Sequence, residues 1–171
     1  MTGPDTDDGL RFRRPNEADH PTIVDLVDEW WGGLRVHEQL PRLWFQHFTG
    51  TSWIVESADG RPAGFLVGFV SPDDPSVGYV HMVGTSPNHR RRGLGRRLYE
   101  RFIGDVSQRG VRRIRAITWP GNRLSVGFHR ALGFEPVGGT QAQNLYGTTA
   151  FPDYDFPGAD RVVFARELDV G

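Results

Sequence analysis

Six consecutive residues, Arg90-Arg91-Arg92-Gly93-Leu94-Gly95, set three cations beside two glycines where a strand-like run gives way to a helical one. Glycines let the backbone curl so that several N–H groups face one point, and a helix N-terminus adds about half a positive charge there. The chemistry on offer is the grip of an anion. Downstream, Asn122, Ser125 and His129 fall at i, i+3 and i+7, so a helix would carry all three on one face as a polar stripe.

Regular elements must hold these residues in place. Val77–Val83 reads as a central strand that leads through Pro87 into the arginine-glycine turn. After the turn, Leu94, Leu98, Phe102 and Val106 recur four apart with Ile103 beside them, which predicts a helix with one buried face, closed by Gly110. Val111–Thr118 follows as a strand with Arg113 and Arg115 on one face and Ile114 and Ala116 on the other. Pro120-Gly121-Asn122 turns the chain into a helix over Leu124–Leu132, which Gly133-Phe134 ends in a left-handed cap.

Upstream, Leu10–Arg14 alternates like a short strand, and Ile23, Leu26, Val27 and Trp30 recur at helical spacing behind a cap at Asn16 or Asp19. Gly32-Gly33 ends that helix, and Pro41–Phe48 reads as a second, aromatic-rich one. Ser52–Glu56 and Ala63–Val70 form a hairpin around Asp59-Gly60. Glu135–Val137 is a short strand, residues 138–160 an ordered loop or lid, and Arg161–Leu168 the last strand. The fold class is α/β on one mixed sheet. Residues 1–9 are expected as a disordered tail and 10–171 as a single domain.

The 171 residues carry a net charge of −1, unevenly spread. Residues 90–115 hold 10 arginines against 2 acids, whereas 1–89 hold 6 against 13. Such focusing suits a polyanionic ligand, while a nucleic-acid binder is more often basic overall. There is no cysteine, so disulfides and thiolate metal sites fall away. No run approaches the ~18 apolar residues of a membrane span, and residues 1–9 lack the pattern of a signal peptide; the expected location is cytoplasmic, without membrane or nucleic-acid partners.

The chain resembles the GCN5-related N-acetyltransferase (GNAT) superfamily, in its bacterial small-molecule-type branch. Arg90–Gly95 fits the acyl-CoA loop R/Q-x-x-G-x-G/A, VHMVGTSP precedes it at the expected distance, and NRLSVGFHRALGF is similar to the family's Asn-to-LGF helix. The order and spacing agree from about Leu10 to Leu168. The resemblance implies a mostly antiparallel sheet of about six to seven strands with one splayed parallel pair, flanked by about four helices. It implies acetyl-CoA as co-substrate, with no metal. Backbone groups of Val83, Gly84 and Thr85 would pair with the pantetheine arm, and the turn from Arg90 through Arg91, Arg92, Gly93, Leu94 and Gly95 to Arg96 would hold the pyrophosphate. Asn122, Ser125 and His129 would face the thioester end or the pantetheine.

Acetyl transfer to an amine needs a neutral amine, a donor for the oxyanion and a proton for the departing thiolate. The Val83 N–H is the expected oxyanion donor. His81, two residues earlier on the same strand face, is a candidate base, and Tyr79, two earlier again, could extend a proton path. The alternative for His81 is packing and hydrogen bonding within the sheet. His129 stands where the family often has a tyrosine acid; it either protonates the thiolate or contacts CoA and packs its helix. Trp30, Trp31, Trp44, Phe45 and Phe48 either belong to the core or line an acceptor pocket, and Asp28, Glu29, Tyr154 and Asp155 are either acceptor contacts or solvated surface. The reading is an acetyl-CoA-dependent N-acetyltransferase acting on a small-molecule primary amine by direct transfer in a ternary complex, possible as a homodimer. Its alternatives are a protein or peptide N-acetyltransferase and a noncatalytic acyl-CoA-binding regulator.

Overall fold

Alternation along each strand decides which side chains meet which layer. The computed structural model describes residues 5–169. Its elements are β1 (Asp5–Asp7), β2 (Leu10–Arg13), α1 (Asp19–Trp30), α2 (Trp44–His47), β3 (Trp53–Glu56), β4 (Pro62–Val70), β5 (Val77–Thr85), α3 (Leu94–Ser107), β6 (Arg113–Thr118), α4 (Arg123–Ala131), β7 (Glu135–Pro136), β8 (Gln143–Leu145), β9 (Thr148–Ala150) and β10 (Val162–Glu167). The main strands follow the order β1-β2-β3-β4-β5-β6-β10-β7. β5 and β6 are joined through α3, the crossover that a parallel pair requires. The fold is mixed α/β.

Contacts gather the chain into two compact units: residues up to Phe69 with Val80–Arg109, and Val70–Tyr79 with the residues from Gly110 onward. In the first, β2 pairs antiparallel with β1 and β3, and β3 with β4. One sheet face takes α1: Ile23, Val27 and Trp30 pack with Ile54, Phe65, Val67 and Met82, joined by Leu40, Trp44 and Phe45. Each such side chain contributes ~1.5–3 kcal/mol through burial. One residue from Phe65, Gly64 faces the other way, where a Cβ would meet Leu94 and Leu98 of α3 at 3.2 and 3.4 Å. The absent side chain lets α3 lie close to the sheet.

Arg13 joins Asp19 and Glu56, while Arg11 also bonds Glu56, tying β2, β3 and the start of α1 together. Arg14 reaches Asp105 of α3 at 2.7 Å and lies over the Trp53 ring. In the second unit β10 pairs antiparallel with β6 and β7. The Ser76 carbonyl accepts from the Arg112 and Arg113 N–H groups at 2.8 and 3.1 Å, joining the approach to β5 with β6. α4 ends as its sequence predicts: Gly133 has φ +83°, and the Phe134 N–H returns to the His129 carbonyl at 3.0 Å.

Two expectations are corrected. Residues 5–7 are a strand rather than disordered tail, because Asp8 and Gly9 take φ of +50° and +75° and turn the chain back onto β2; residues 1–4 lie outside the described residues. Within the expected loop 138–160, β8 and β9 form a hairpin. Tyr146 and Gly147 both have positive φ, and the Asn144 side chain accepts the Gly147 N–H at 3.1 Å.

The Arg13 cluster generates a prediction. Burial alone would raise the Glu56 and Asp19 carboxyls, but the hydrogen bonds from Arg13, and at Glu56 also from Arg11, hold both below the usual carboxylate range. Their stabilisation is therefore present above the ordinary carboxylate pKa of about 4 and is lost as pH falls through the folded values. Glu56→Gln is expected to cost about 1–3 kcal/mol at neutral pH and to flatten the acid decline. Urea titrations of both proteins across the acid range check this, and parallel declines would contradict it.

Candidate active site

Every second residue of β5 is buried, so Tyr79, His81, Val83 and Thr85 form its half-buried series, while Val80, Met82 and Gly84 point into the packing. Gly84 is required there. A Cβ on it would stand 2.7 Å from the Trp31 ring and 2.8 Å from Phe65. Trp31 thus lies against the backbone of the strand end expected to meet the pantetheine arm.

From Thr85 the chain passes through a short turn at Pro87–His89, where Ser86 Oγ and His89 Nδ1 are 3.0 Å apart. Arg91 has φ +60°, and Gly93, the residue before α3, has φ +72°. No side chain caps α3. Its first backbone hydrogen bond runs from the Arg97 N–H to the Gly93 carbonyl at 3.0 Å, so the N–H groups of Leu94 and Gly95 have no acceptor within the helix. An anion is the natural partner for such a start. Arg91, Arg92 and Arg96 are exposed around it. Arg90 is used differently: its guanidinium donates to the Trp30 carbonyl, anchoring the turn to the end of α1.

His81 sits in a defined cradle. Its Nε2 is 2.6 Å from the Gln39 carbonyl, and its ring stacks on Trp44 at 4.3 Å and 11°. A carbonyl only accepts, so Nε2 carries the proton and the lone pair lies on Nδ1. Burial pushes the imidazole below its ordinary pKa, with the Gln39 bond opposing, so it is neutral at physiological pH. The sequence offers Trp44 as core or pocket lining, but neither its stacking on His81 nor the Gln39 carbonyl is legible there. Trp44 stood within the aromatic run LWFQHF, where spacing alone does not separate it from Phe45.

The polar stripe of α4 lies in the second unit and is internally connected. Asn122 Oδ1 caps the helix by accepting the Ser125 N–H at 3.0 Å, and His129 Nδ1 donates to the Ser125 carbonyl at 2.8 Å. The His129 ring is 4% exposed and stacks on Phe164 at 4.9 Å and 10°. Burial holds this imidazole below its ordinary pKa too, and its neutral proton sits on Nδ1. Tyr79 belongs to the same unit. Burial first, then Tyr154 and Asp155, push its hydroxyl up to about 12 despite the opposing Arg161, so it stays a protonated donor.

Of the aromatic residues read as either core or acceptor pocket, Phe45 and Trp30 lie in the core. Phe45 is 1% exposed with its ring edge-on to His20, and Trp30 is 5% exposed in the same core. They pack α1 and α2 onto the sheet. Trp31 is partly exposed and packs on Gly84, and Tyr154 is 48% exposed on the loop before β10.

The acetyltransferase (GNAT) family model matches residues 20–134, more than half of the chain. The chain belongs to the acetyltransferase (GNAT) family. It is 31% identical over 115 residues to an L-2,4-diaminobutyric acid acetyltransferase of Nocardia farcinica, an alignment covering 67% of this chain but only 59% of that relative. An enzyme of the same name from Streptomyces avermitilis is 27% identical, over 85% of this chain and 82% of its own. A solved diaminobutyrate acetyltransferase of Paenibacillus lautus, in complex with L-2,4-diaminobutyric acid and coenzyme A, superposes with a TM-score of 0.66 at 23% identity, covering 99% of this chain and 100% of that one. At that identity the superposition speaks for the GNAT fold.

The close approach at Gly84 is directly testable. Gly84→Ala is expected to lower unfolding free energy by about 1–3 kcal/mol, because both aromatic rings must give way. An unchanged urea midpoint would contradict the packing.

Proposed function

We propose that this GNAT enzyme moves the acetyl group of acetyl-CoA onto one primary amine of a small diamino acid of the L-2,4-diaminobutyrate kind. The observation that carries the donor half is the continuity of β5 with the uncapped start of α3 in one unit. One strand end and one helix start there offer backbone donors to a single elongated, anionic ligand. The names of the relatives support the acceptor half.

In this reading the pyrophosphate rests on the N–H groups from Arg91 to Arg96, each charge-assisted contact contributing about 1.5–3 kcal/mol. Val83–Thr85 aligns the thioester arm. Fixing the two substrates together supplies most of the acceleration. The Val83 N–H meets the oxyanion, and His81, neutral with its lone pair on Nδ1, takes the ammonium proton directly or through water. The amine then attacks the thioester carbonyl, the C–S bond breaks, and the thiolate leaves to collect a proton. His129, with its own proton committed to the Ser125 carbonyl, serves the CoA side by packing and shape. Tyr79, the candidate for extending the proton path, keeps its hydroxyl protonated.

A cytoplasmic location and a homodimer belong to the same proposal. No helix among the described residues is long and apolar enough to cross a membrane, and exposed Trp119, Leu124 and Tyr146 supply apolar surface for a second copy.

Thiol release from acetyl-CoA, followed over a panel of amines, tests the function. L-2,4-diaminobutyrate is expected to rank above peptides with free N-termini, and the reverse order would overturn the acceptor assignment. His81→Ala is expected to lower kcat/KM about 10²–10⁴-fold. It should also remove an acid limb whose midpoint lies below the ordinary histidine value, since burial depresses that group. Full kcat/KM across pH 6–9 in the variant, a window of about three units around neutrality, would rule His81 out as the base.

A further inference from the structure

The turn whose carbonyl meets His81 is too short to hold itself. Gly32 and Gly33, with φ of +69° and +88°, reverse the chain after α1, and the Gly33 N–H returns to the Asp28 carbonyl at 2.8 Å. A single 3₁₀ turn then covers His37–Gln39. Its own bonds are the Gln39 N–H to the Val36 carbonyl at 3.0 Å and the Leu40 N–H to the His37 carbonyl at 2.9 Å. So short a turn depends on tertiary contacts for its position.

Those contacts exist at both ends. Val36 and Leu40 are buried in the core of the first unit, and His20 Nε2 donates to the Leu40 carbonyl at 2.9 Å, which fixes where the turn lies. Its rotation is set by Asp28, in the last turn of α1. There Oδ1 accepts the His37 backbone N–H at 2.9 Å, and Oδ2 accepts from His37 Nδ1 at 2.6 Å. A carboxylate near a helix C-terminus opposes the macrodipole, so its place there calls for another reason. Partial desolvation would raise its pKa, but the His37 N–H and ring, and then the Val36 N–H, hold it below the usual carboxylate range. The Asp28 and His37 side chains are 30% and 34% exposed, so neither serves the core.

We infer that Asp28 is a positioning residue for His81. By gripping His37 through both carboxylate oxygens it directs the Gln39 carbonyl, two residues on, which meets His81 Nε2 at 2.6 Å. All of these residues belong to the first unit. The carbonyl keeps the imidazole proton on Nε2 and the lone pair on Nδ1. Stacking on Trp44 holds the plane of the ring but does not choose between its nitrogens. Without a directed carbonyl the two neutral tautomers compete, and the basic atom is divided between two places. The inference rests on the proposed role of His81 as base and deepens it: Asp28, which the sequence offers as acceptor contact or solvated surface, commits its carboxylate to His37.

The test reads the tautomer directly, from the ring nitrogen resonances of His81 in labelled protein at about pH 8, above the ordinary histidine pKa of about 6.5. Wild-type protein is expected to show well-separated signals for a protonated Nε2 and a bare Nδ1. In Asp28→Ala the two should move toward each other. With the most active amine of the panel, kcat should fall about three- to tenfold, the contribution of one hydrogen bond, while KM for acetyl-CoA stays unchanged. Asp28→Asn keeps an acceptor for the His37 N–H and His37→Ala keeps that N–H, so both should fall between wild type and Asp28→Ala. They also decide the matter if Asp28→Ala does not fold. The His129 ring signals, in the other unit, serve as a fixed reference. A merely structural Asp28 would lower the melting temperature and leave the His81 ring signals of the folded variants in place, and that outcome overturns the inference. Ring signals that move while kcat holds support the positioning and remove His81 as the base, a result that full activity of His81→Ala would give independently.

Discussion

The start of α3 is the constraint on which the first unit depends. A helix whose opening N–H groups meet no side-chain cap is costly unless an outside acceptor is intended, and Gly93 in the left-handed region lets the chain enter it abruptly from the arginine turn. Keeping that start fixed next to the end of β5 requires the helix to lie close to the sheet, which Gly64 permits. It also requires the turn to be anchored, which Arg90 does by reaching the Trp30 carbonyl at the negative end of α1. The packing of Trp31 on Gly84 then joins the end of α1 to the same strand. Two close approaches and one charged tether thus hold the donor-binding backbone in place.

The two histidines illustrate how environment separates similar side chains. Both are neutral through burial, yet they differ in what holds them. His81 is bound through Nε2 to a carbonyl outside its own strand and stacked on an indole, which leaves Nδ1 as the basic atom. His129 spends its proton on the carbonyl one turn back in its own helix and is stacked in an aromatic core with Phe164. The first arrangement suits proton acceptance, whereas the second suits a rigid helix beneath a ligand. Tyr79, in the second unit, is held protonated chiefly by its burial.

Much of this was legible in the sequence. The period-four apolar residues of α3, the alternation of β5 and the glycine cap of α4 are local signals, and they fixed the elements around the arginine turn before any coordinates. The family resemblance carried the donor. The losses came where tertiary contacts choose between equals. Phe45 and Trp44 are adjacent aromatic residues of the core in one short helix, and only packing shows that Trp44 also carries the His81 ring. Arg90 looks like its two neighbours, but its guanidinium is committed to α1. The β8–β9 hairpin turns at Tyr146-Gly147, a weaker signal than Asn-Gly, and the Asp155–Arg161 pair joins residues on the two sides of a loop whose closure no periodicity reports.

The central claim is that backbone donors at the start of α3 hold the pyrophosphate of acetyl-CoA. The most direct measurement is the shift of backbone amide resonances in labelled protein titrated with ADP, which carries a pyrophosphate but no pantetheine arm, and then with CoA. The account predicts that the Leu94 and Gly95 amides move most with both ligands, while Gly84 and Thr85 respond to CoA alone. Saturable CoA binding that leaves the Leu94 and Gly95 amides unmoved would contradict it.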